Sequence, residues 1–519
     1  YTKTRMSSFV SVDVVWYKKD LRVHDHQPLI ASSLSENHVL CLYVIEPERF
    51  ELNDFDPIHL EWELDNAIEL DKSLKEINAS LHFEVGNIEQ ILEKINAKHE
   101  ISRLISHQET GNSWSYSRDK KVSSWCDKKS IEWLEFPSNG VIRGLTDRDK
   151  WKRARDSRMR LPTSETPPLK SVIQSTSRPP TMLELGLRSR TLSNRPEPGE
   201  KAALTRLRTF LESEAKEYQW AISSPTEAVK HGSGLSPYLT VGAISMRRVV
   251  QTTNDRIDYI RQNKQKIPGA STWTKSLSSF RRRLAWRCHF IQKLEMEPDL
   301  DVVAQNKIID RNLQREMNEV WFGKWKDGQT GWPFLDACMR QLSSTGWINF
   351  RMRAMIMSAA SYNLWLPWRE TGCYLATRFI DYEPGIHWSQ VGMQSGTTGI
   401  NTIRAYSLSK QGRDQDPDGS YIRKWVPELS NVPTEYIHQP WEMPQEIQQQ
   451  VECNIGIEYP EPICDEVESR KLGVKRSYAA RAGKEARTIS ADVLKKHGSR
   501  SRPRRRSSNK SKSVQQKLF

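Results

Sequence analysis

The chain has 519 residues, with 78 Lys and Arg against 64 Asp and Glu and a formal charge of +14 at pH 7. That charge sits at one end: Arg470 to Phe519 holds 17 basic residues against Glu485 and Asp492, a net of +15, which leaves residues 1–469 at −1. Any surface of the body that binds a polyanion therefore has to be a local patch. No apolar run reaches membrane-spanning length, the opening YTKTRMSSFVSVDVVWY lacks an apolar stretch ending in a cleavage site, and seven Cys without a C-x-x-C fit a reducing compartment.

Residues 11–17 read as a buried strand, followed by a loop and helix start in KKDLRVHDHQPL. Strands at 38–44, 81–84 and 103–106 alternate with helices at 60–77 and 88–97, which predicts a parallel α/β sheet. No G-x-G-x-x-G follows the first strand, so a dinucleotide-binding fingerprint is absent. HQETGNSWSYSRDKKV reads as a polar loop at a strand end. Residues 137–201 are rich in Pro, Ser and Thr, as in TSETPPLKSVIQSTSRPP, and predict a long connection over the surface. Helix resumes at 202–216 and dominates to about residue 426. Beyond Pro440 the composition turns polar, and from about Gly483 it is poor in aromatics and strongly charged. The expected organisation is an α/β domain at 11–136, a linker at 137–201, a helical domain at 202–441 and a polar, basic, disordered tail at 442–519.

Three stretches carry chemistry. GSGLSPYLTVGAIS (232–245) puts small residues and Ser before a helix, where backbone N–H groups cradle a phosphate or where Ser233 or Ser236 simply caps a core helix. SFRRRLAWRCHFIQKLE (279–295) sets Trp286 among arginines, with Arg283 and Arg287 four apart, as a nucleic-acid contact or a solvated basic face. In TGWPFLDACMRQLSSTGW (330–347), Phe334, Leu335, Cys338, Met339 and Leu342 make one apolar face. The next helix, from about Trp347, carries Arg351 and Arg353 among Met352, Met355 and Ile356. Such arginines need partners or a polar ligand, and Asp381 and Glu383 of the DYEPG turn are the expected partners. An internal ion pair and a ligand site read alike at this point.

Residues 330–347 resemble the flavin-binding domain of the cryptochrome/photolyase family, which reads T-G-(aromatic)-P-hydrophobic-D-A-x-M-R-Q-L-x-x-T-G-W. VVWYKKDLRVHDHQPL resembles the family's W-x-R-x-D-L-R-x-x-D-N-x-A-L, with His26 in the Asn position. The resemblance runs from about Val14 to Trp441. It implies an antenna-type α/β domain followed by an all-helical domain with FAD at its centre. The antenna would be a folate-type pterin or a deazaflavin, near Glu109 and Asn112. FAD would be held at its pyrophosphate by Ser233, Gly234, Leu235 and Ser236 with Tyr218 upstream. Arg287, Asn349, Arg353, Asp381, Glu383 and His387 would surround the rest, His387 standing where the family faces flavin N5.

The activity implied is blue-light repair of UV-induced pyrimidine dimers by an electron from reduced FAD. Trp286 would stack on the lesion, with Arg283 and Gln411 on the DNA. The family's E-L-x-W-R-x-x-Y has Arg283 where Glu belongs, which sets a cryptochrome-type photoreceptor without repair, or a (6-4) photolyase, beside a cyclobutane-dimer enzyme. The family's Trp relay matches Trp368, but Val391 occupies the flavin-proximal place and Trp388 lies three residues earlier. Trp321, Trp325 and Trp332 are the nearest candidates in sequence for its outer member. Cys453 and Cys464, with Cys338 and Cys373, lack the close pair of the iron–sulfur branch, and no metal is expected. The expected protein is a monomer, on the nucleoid in a bacterium or in the nucleus of a eukaryote through RPRRR. The last five residues place Gln515, Leu518 and Phe519 at the end of a cationic arm, a pattern that resembles the bacterial sliding-clamp peptide Gln-x-x-Leu-Phe.

Overall fold

The computed structural model describes residues 10–498. Strands β1 (Ser11–Tyr17), β2 (His38–Ile45), β3 (Leu81–Val85), β4 (Glu100–His107) and β5 (Glu132–Phe136) form a parallel sheet of order β3-β2-β1-β4-β5. β1 and β2 are buried along nearly their whole length, as strands covered by helices on both faces must be. The helix Pro57–Lys75 starts on a capping box in which Asp56 accepts from the backbone and His59 reaches back. Strand order reverses at β1, so the loops after β1 and β4 open a crevice at the carboxyl edge of the sheet. Lys18, Lys19 and Glu109 line it there.

The polar stretch after β4 is a helix, Ser113–Lys129, rather than a loop, and β5 follows it. Its buried face is Ser115, Arg118, Val122, Trp125 and Cys126, at helical spacing but with its first two members polar. An apolar periodicity search passes over such a face. The connection 137–201 contains a 3-10 turn at Arg148–Lys150 and a ten-residue helix, Trp151–Arg160, bridges to β2 through Val39 and Val172, and ends where the helix Glu200–Glu212 begins. It is fastened to both halves of the molecule. Arg190 donates to Asp56 in the α/β half and to the carbonyls of Thr377 and Arg378 in the helical half.

The helical half is built on the 27-residue helix Ala270–Met296, which packs against Met246–Gln262 and Pro384–Ser395. Phe334, Leu335, Cys338, Met339 and Leu342 are all buried on the helix Pro333–Thr345. Gly346 ends that helix at φ +68°, a left-handed turn that a side chain would strain. Asn349 then starts the helix Phe350–Ser358, which passes into a π-turn at Ala359–Asn363.

The expected disordered tail is folded up to residue 498. Helices Glu466–Ala480 and Lys484–His497 lie against the body. Tyr459 is fully buried and donates to Asp336 Oδ2 at 2.6 Å. The Glu466 carboxylate accepts from the backbone N–H of Leu408 and Ser409, and Asn306 Nδ2 donates to Ala486 O at 2.9 Å. Few apolar anchors are spent here, but each is placed, and the charges sit on the outer faces. Composition averaged over the segment hides that. The RPRRR run and Gln515, Leu518 and Phe519 lie outside the described residues.

Candidate functional site

A cavity of about 320 Å³ opens in the helical half. Tyr218, Ser233, Gly234 and Ser236 line it. Arg287, Asn349, Arg353, Asp381, Glu383 and His387 line it too, as do Arg283 and Trp286. Leu235 is buried in the core between Gly234 and Ser236.

The segment before the helix Ser236–Val241 is shaped by glycine. A Cβ at Gly232 would come 2.4 Å from Ala228 O, and Gly234 has φ +62°. Neither Ser233 nor Ser236 caps this helix. The cap position is Leu235, with no side-chain hydrogen bond, and Pro237 pre-sets the first turn. Ser233 Oγ instead accepts from Leu235 N at 3.4 Å. Arg206 secures the loop from behind, donating to Ser233 O at 3.0 Å while it pairs with Glu214.

Two ion pairs cross the cavity wall. Arg353 donates to Asp381 Oδ2 at 3.0 Å, and its guanidinium lies 4.1 Å from the centre of the Phe379 ring. Arg287 donates to Glu383 Oε2 at 2.6 Å and to Leu239 O at 3.0 Å. Glu383 therefore belongs to Arg287. Arg351, expected beside the DYEPG turn, reaches Gln411 Oε1 at 3.4 Å instead. Residues two apart on a helix point about 200° from one another, so Arg351 and Arg353 cannot serve the same turn. Asn349 Oδ1, Asp381 Oδ1 and Gln394 Oε1 are buried without a protein partner. All three residues line the cavity. Buried acceptors left unmet cost about 1–3 kcal/mol each, so these walls suit a ligand that brings donors.

His387 Nε2 lies 2.8 Å from Gly372 O. A carbonyl only accepts, so Nε2 carries the proton and Nδ1 keeps its lone pair. Burial pushes the imidazole pKa down to about 4, and it is neutral at pH 7. His387 and Trp388 have ring centroids 5.1 Å apart, and Trp388 and Trp368 are 6.0 Å apart, edge to face. Trp368 Nε1 donates to Asp310 at 2.9 Å. Trp325 and Trp332 are core residues, with Trp325 packed on Phe322 and Tyr374. Trp286 is 36 % exposed, and the Arg283 guanidinium lies 4.8 Å from its ring centre.

A second cavity of about 80 Å³ sits at the sheet crevice, with Glu109 and Asn112 in its wall. Burial works to raise the Glu109 carboxyl, but Arg118, Lys18 and Lys19 outweigh it and hold the pKa at about 2. Arg118 donates to it at 2.6 Å. Asn112 caps the helix Ser113–Lys129 through Oδ1 and donates to Asp54 through Nδ2.

Asp20, His26 and His107 form the only group of three potential metal ligands among the described residues. His26 accepts from Leu29 N through Nδ1, so its Nε2 proton faces Asp20 Oδ2 at 2.8 Å, and His107 Nδ1 meets the same oxygen at 2.7 Å. The three close on one another as a hydrogen-bonded cluster. Cys338, Cys373, Cys453 and Cys464 do not gather with other ligands. Sequence reasoning missed Tyr382 and Asp54, which meet across the two halves at 2.6 Å. Nothing local marks a contact between residues 328 positions apart.

The chain matches two family models. Residues 280–479 match the FAD binding domain of DNA photolyase, and residues 13–150 match DNA photolyase. It is 27% identical over 480 residues to a cryptochrome DASH of Gloeobacter violaceus, covering 87% of this chain and 93% of that one. It is 26% identical over 498 residues to a deoxyribodipyrimidine photo-lyase of Alkalihalophilus pseudofirmus, covering 90% of this chain and 98% of that one. Its fold superposes on a cryptochrome of Synechocystis with a TM-score of 0.80 at 23% identity, covering 91% of this chain and all of the other. Both halves match along most of their length, and each relative is covered almost end to end. The chain belongs to the cryptochrome/DNA photolyase family, and its helical half is that family's FAD-binding domain.

Proposed function

We propose that this protein is a light-driven DNA lyase that splits UV-induced pyrimidine dimers with FAD held in the helical cavity. The observation that carries this reading is the half-exposed Trp286, with Arg283 over its ring, in the same wall as the Arg353–Asp381 and Arg287–Glu383 pairs. An indole exposed at a cavity mouth is a stacking platform for a base taken out of the duplex. The cavity volume falls in the range of cofactor sites, roughly 300–1,000 Å³, and the unmet acceptors on Asn349 and Asp381 fit the N–H groups of a flavin ring. FAD, when bound, supplies light absorption and one-electron chemistry.

The chain's own residues then have distinct tasks. Tyr218, Ser233, Gly234 and Ser236 hold the pyrophosphate end, with Leu235 fixing the turn from the core. Arg287, Arg353, Asp381 and Glu383 hold and orient the ring system. His387, neutral and with its proton committed to Gly372 O, offers Nδ1 as an acceptor and has no proton to give at pH 7. Trp368 and Trp388 connect the cavity to Asp310. Arg283 has donors only, so it recognises the oxygens of a lesion, where a Glu would recognise its N–H groups. Gln411 acts by holding Arg351 at the cavity wall. A folate or deazaflavin antenna would occupy the crevice beside Glu109 and Asn112.

The deciding experiment loads the protein with FAD, reduces it, and illuminates it with oligonucleotides carrying either a cyclobutane or a (6-4) dimer. Repair leaves the mass unchanged, so the oligonucleotides are digested to nucleosides and separated by chromatography, which should report restored monomeric bases for one lesion, and Trp286→Ala should lose about 1–3 kcal/mol of lesion binding. Flavin that is retained and photoreduced, with neither lesion repaired, would leave the cryptochrome-type photoreceptor.

A further inference from the structure

Tyr382 stands in the wall between the two cavities and lines both. It is 9 % exposed. Its hydroxyl donates to Asp54 Oδ2 at 2.6 Å and accepts from Trp388 Nε1 at 3.0 Å. His59 stacks on the ring with centroids 5.5 Å apart. Trp388 continues the contact to Trp368. A buried phenol needs only a carbonyl to satisfy it, yet here it meets a carboxylate, which is costly to bury. Burial first, and then the Asp54 charge, keep the phenol protonated. The pair therefore holds an oxidisable ring, a proton on that ring, and a base in line to take it.

We propose that Tyr382 and Asp54 form a proton-coupled electron donor for a photo-oxidant in the helical cavity. One electron leaves Tyr382, and its O–H bond breaks as the proton passes to Asp54 Oδ2, where a new O–H bond forms. The products are a neutral tyrosyl radical and a protonated Asp54 carboxyl. The acceptor of that electron would be oxidised flavin excited by light, so this inference rests on the flavin reading of the cavity. Without the transfer, a radical cation would face a carboxylate in a site of low dielectric. With it, both partners end neutral, which the buried setting favours. Trp388, bonded to the same oxygen, can hand over a hole from Trp368 and keeps donating to the tyrosyl oxygen afterwards.

The test uses the full chain with 3-fluorotyrosine at position 382 alone, so that fluorine hyperfine splitting in EPR marks a radical there and nowhere else. One arm illuminates the FAD-loaded protein with blue light. The other uses a flash-photolysed ruthenium(II) polypyridyl complex with persulfate, which makes the hole without flavin. A fluorine-split signal is expected in both arms. In Asp54→Asn, which can still accept the hydrogen bond but is no base, the signal should form about a hundredfold more slowly. A signal in the ruthenium arm alone supports the pair and removes the flavin reading. No fluorine-split signal in either arm, or an unchanged rate in Asp54→Asn, overturns the proposal.

Discussion

Asp381 and Glu383 lie two residues apart and hold different arginines, and each choice has a measurable consequence. Asp381→Ala strips Arg353 of its carboxylate while the guanidinium stays between Ile348 O and the Phe379 ring. Breaking a buried pair costs about 3–5 kcal/mol, and the partial exposure of Arg353 moves the expected loss to the low end, about 3 kcal/mol. Flavin retained after dialysis should fall, and urea midpoints should report the loss. His387 predicts a pH effect. Its folded pKa of about 4 lies below the ordinary 6.5, so its contribution is full above about 6.5. That contribution is lost as pH falls through the interval to about 4, because the unfolded chain then binds the extra proton. His107 and His289, each pushed by burial to about 3, act in the same direction. Denaturation at pH 7 and pH 5 should show lower stability at pH 5, with a smaller difference in His387→Gln. The Arg353–Asp381 pair was legible because a charge in an apolar helix demands an opposite one. The exchange of Glu383 to Arg287 was not, since it depends on a third helix that no local pattern places.

At the scale of elements, the helix Glu466–Ala480 separates composition from packing. Gly473 rests on the Tyr362 backbone, where a Cβ would lie 2.1 Å from the carbonyl oxygen. Gly473→Ala should therefore lift the helix, at a cost of about 1–3 kcal/mol for overpacking, although Ala alone favours a helix by about 1 kcal/mol. Hydrogen exchange over 466–497 should speed up in the variant. A segment that only touched solvent would gain protection instead. The strands of the sheet up to β4 were legible from their apolar runs, and the helix 333–345 from its apolar face. The helix Ser113–Lys129 and both C-terminal helices were not, because their contacts run through caps, carboxylates and close backbone approach. The candidate cavity was mostly legible through family motifs. The wall residue Tyr382 was not, because its meaning comes from Asp54.

For the molecule as a whole, the distribution of charge sets how it should meet DNA. Eight Lys and Arg follow Gly498, with no acidic residue among them. A chain ending at His497 should bind undamaged DNA more weakly and with a shallower salt dependence. Full engagement of those eight charges bounds the change in slope at about 7. The titration to run is affinity against salt for both lengths, and equal slopes would mean that the body alone carries binding. The connection between the halves bears on a different property, the behaviour of a broken chain. Leu183 is 75 % exposed in that segment. On its far side, Arg190 is bonded to both halves, Ser193 N donates to Ser344 O, Gly199 N donates to Asn66 Oδ1 and Tyr238 OH donates to Glu197 O. A protease cut near Leu183 would thus give two fragments on a denaturing gel and one particle by gel filtration. Covalent continuity there is dispensable once the halves have met, and the two pieces expressed separately should find each other and reassemble.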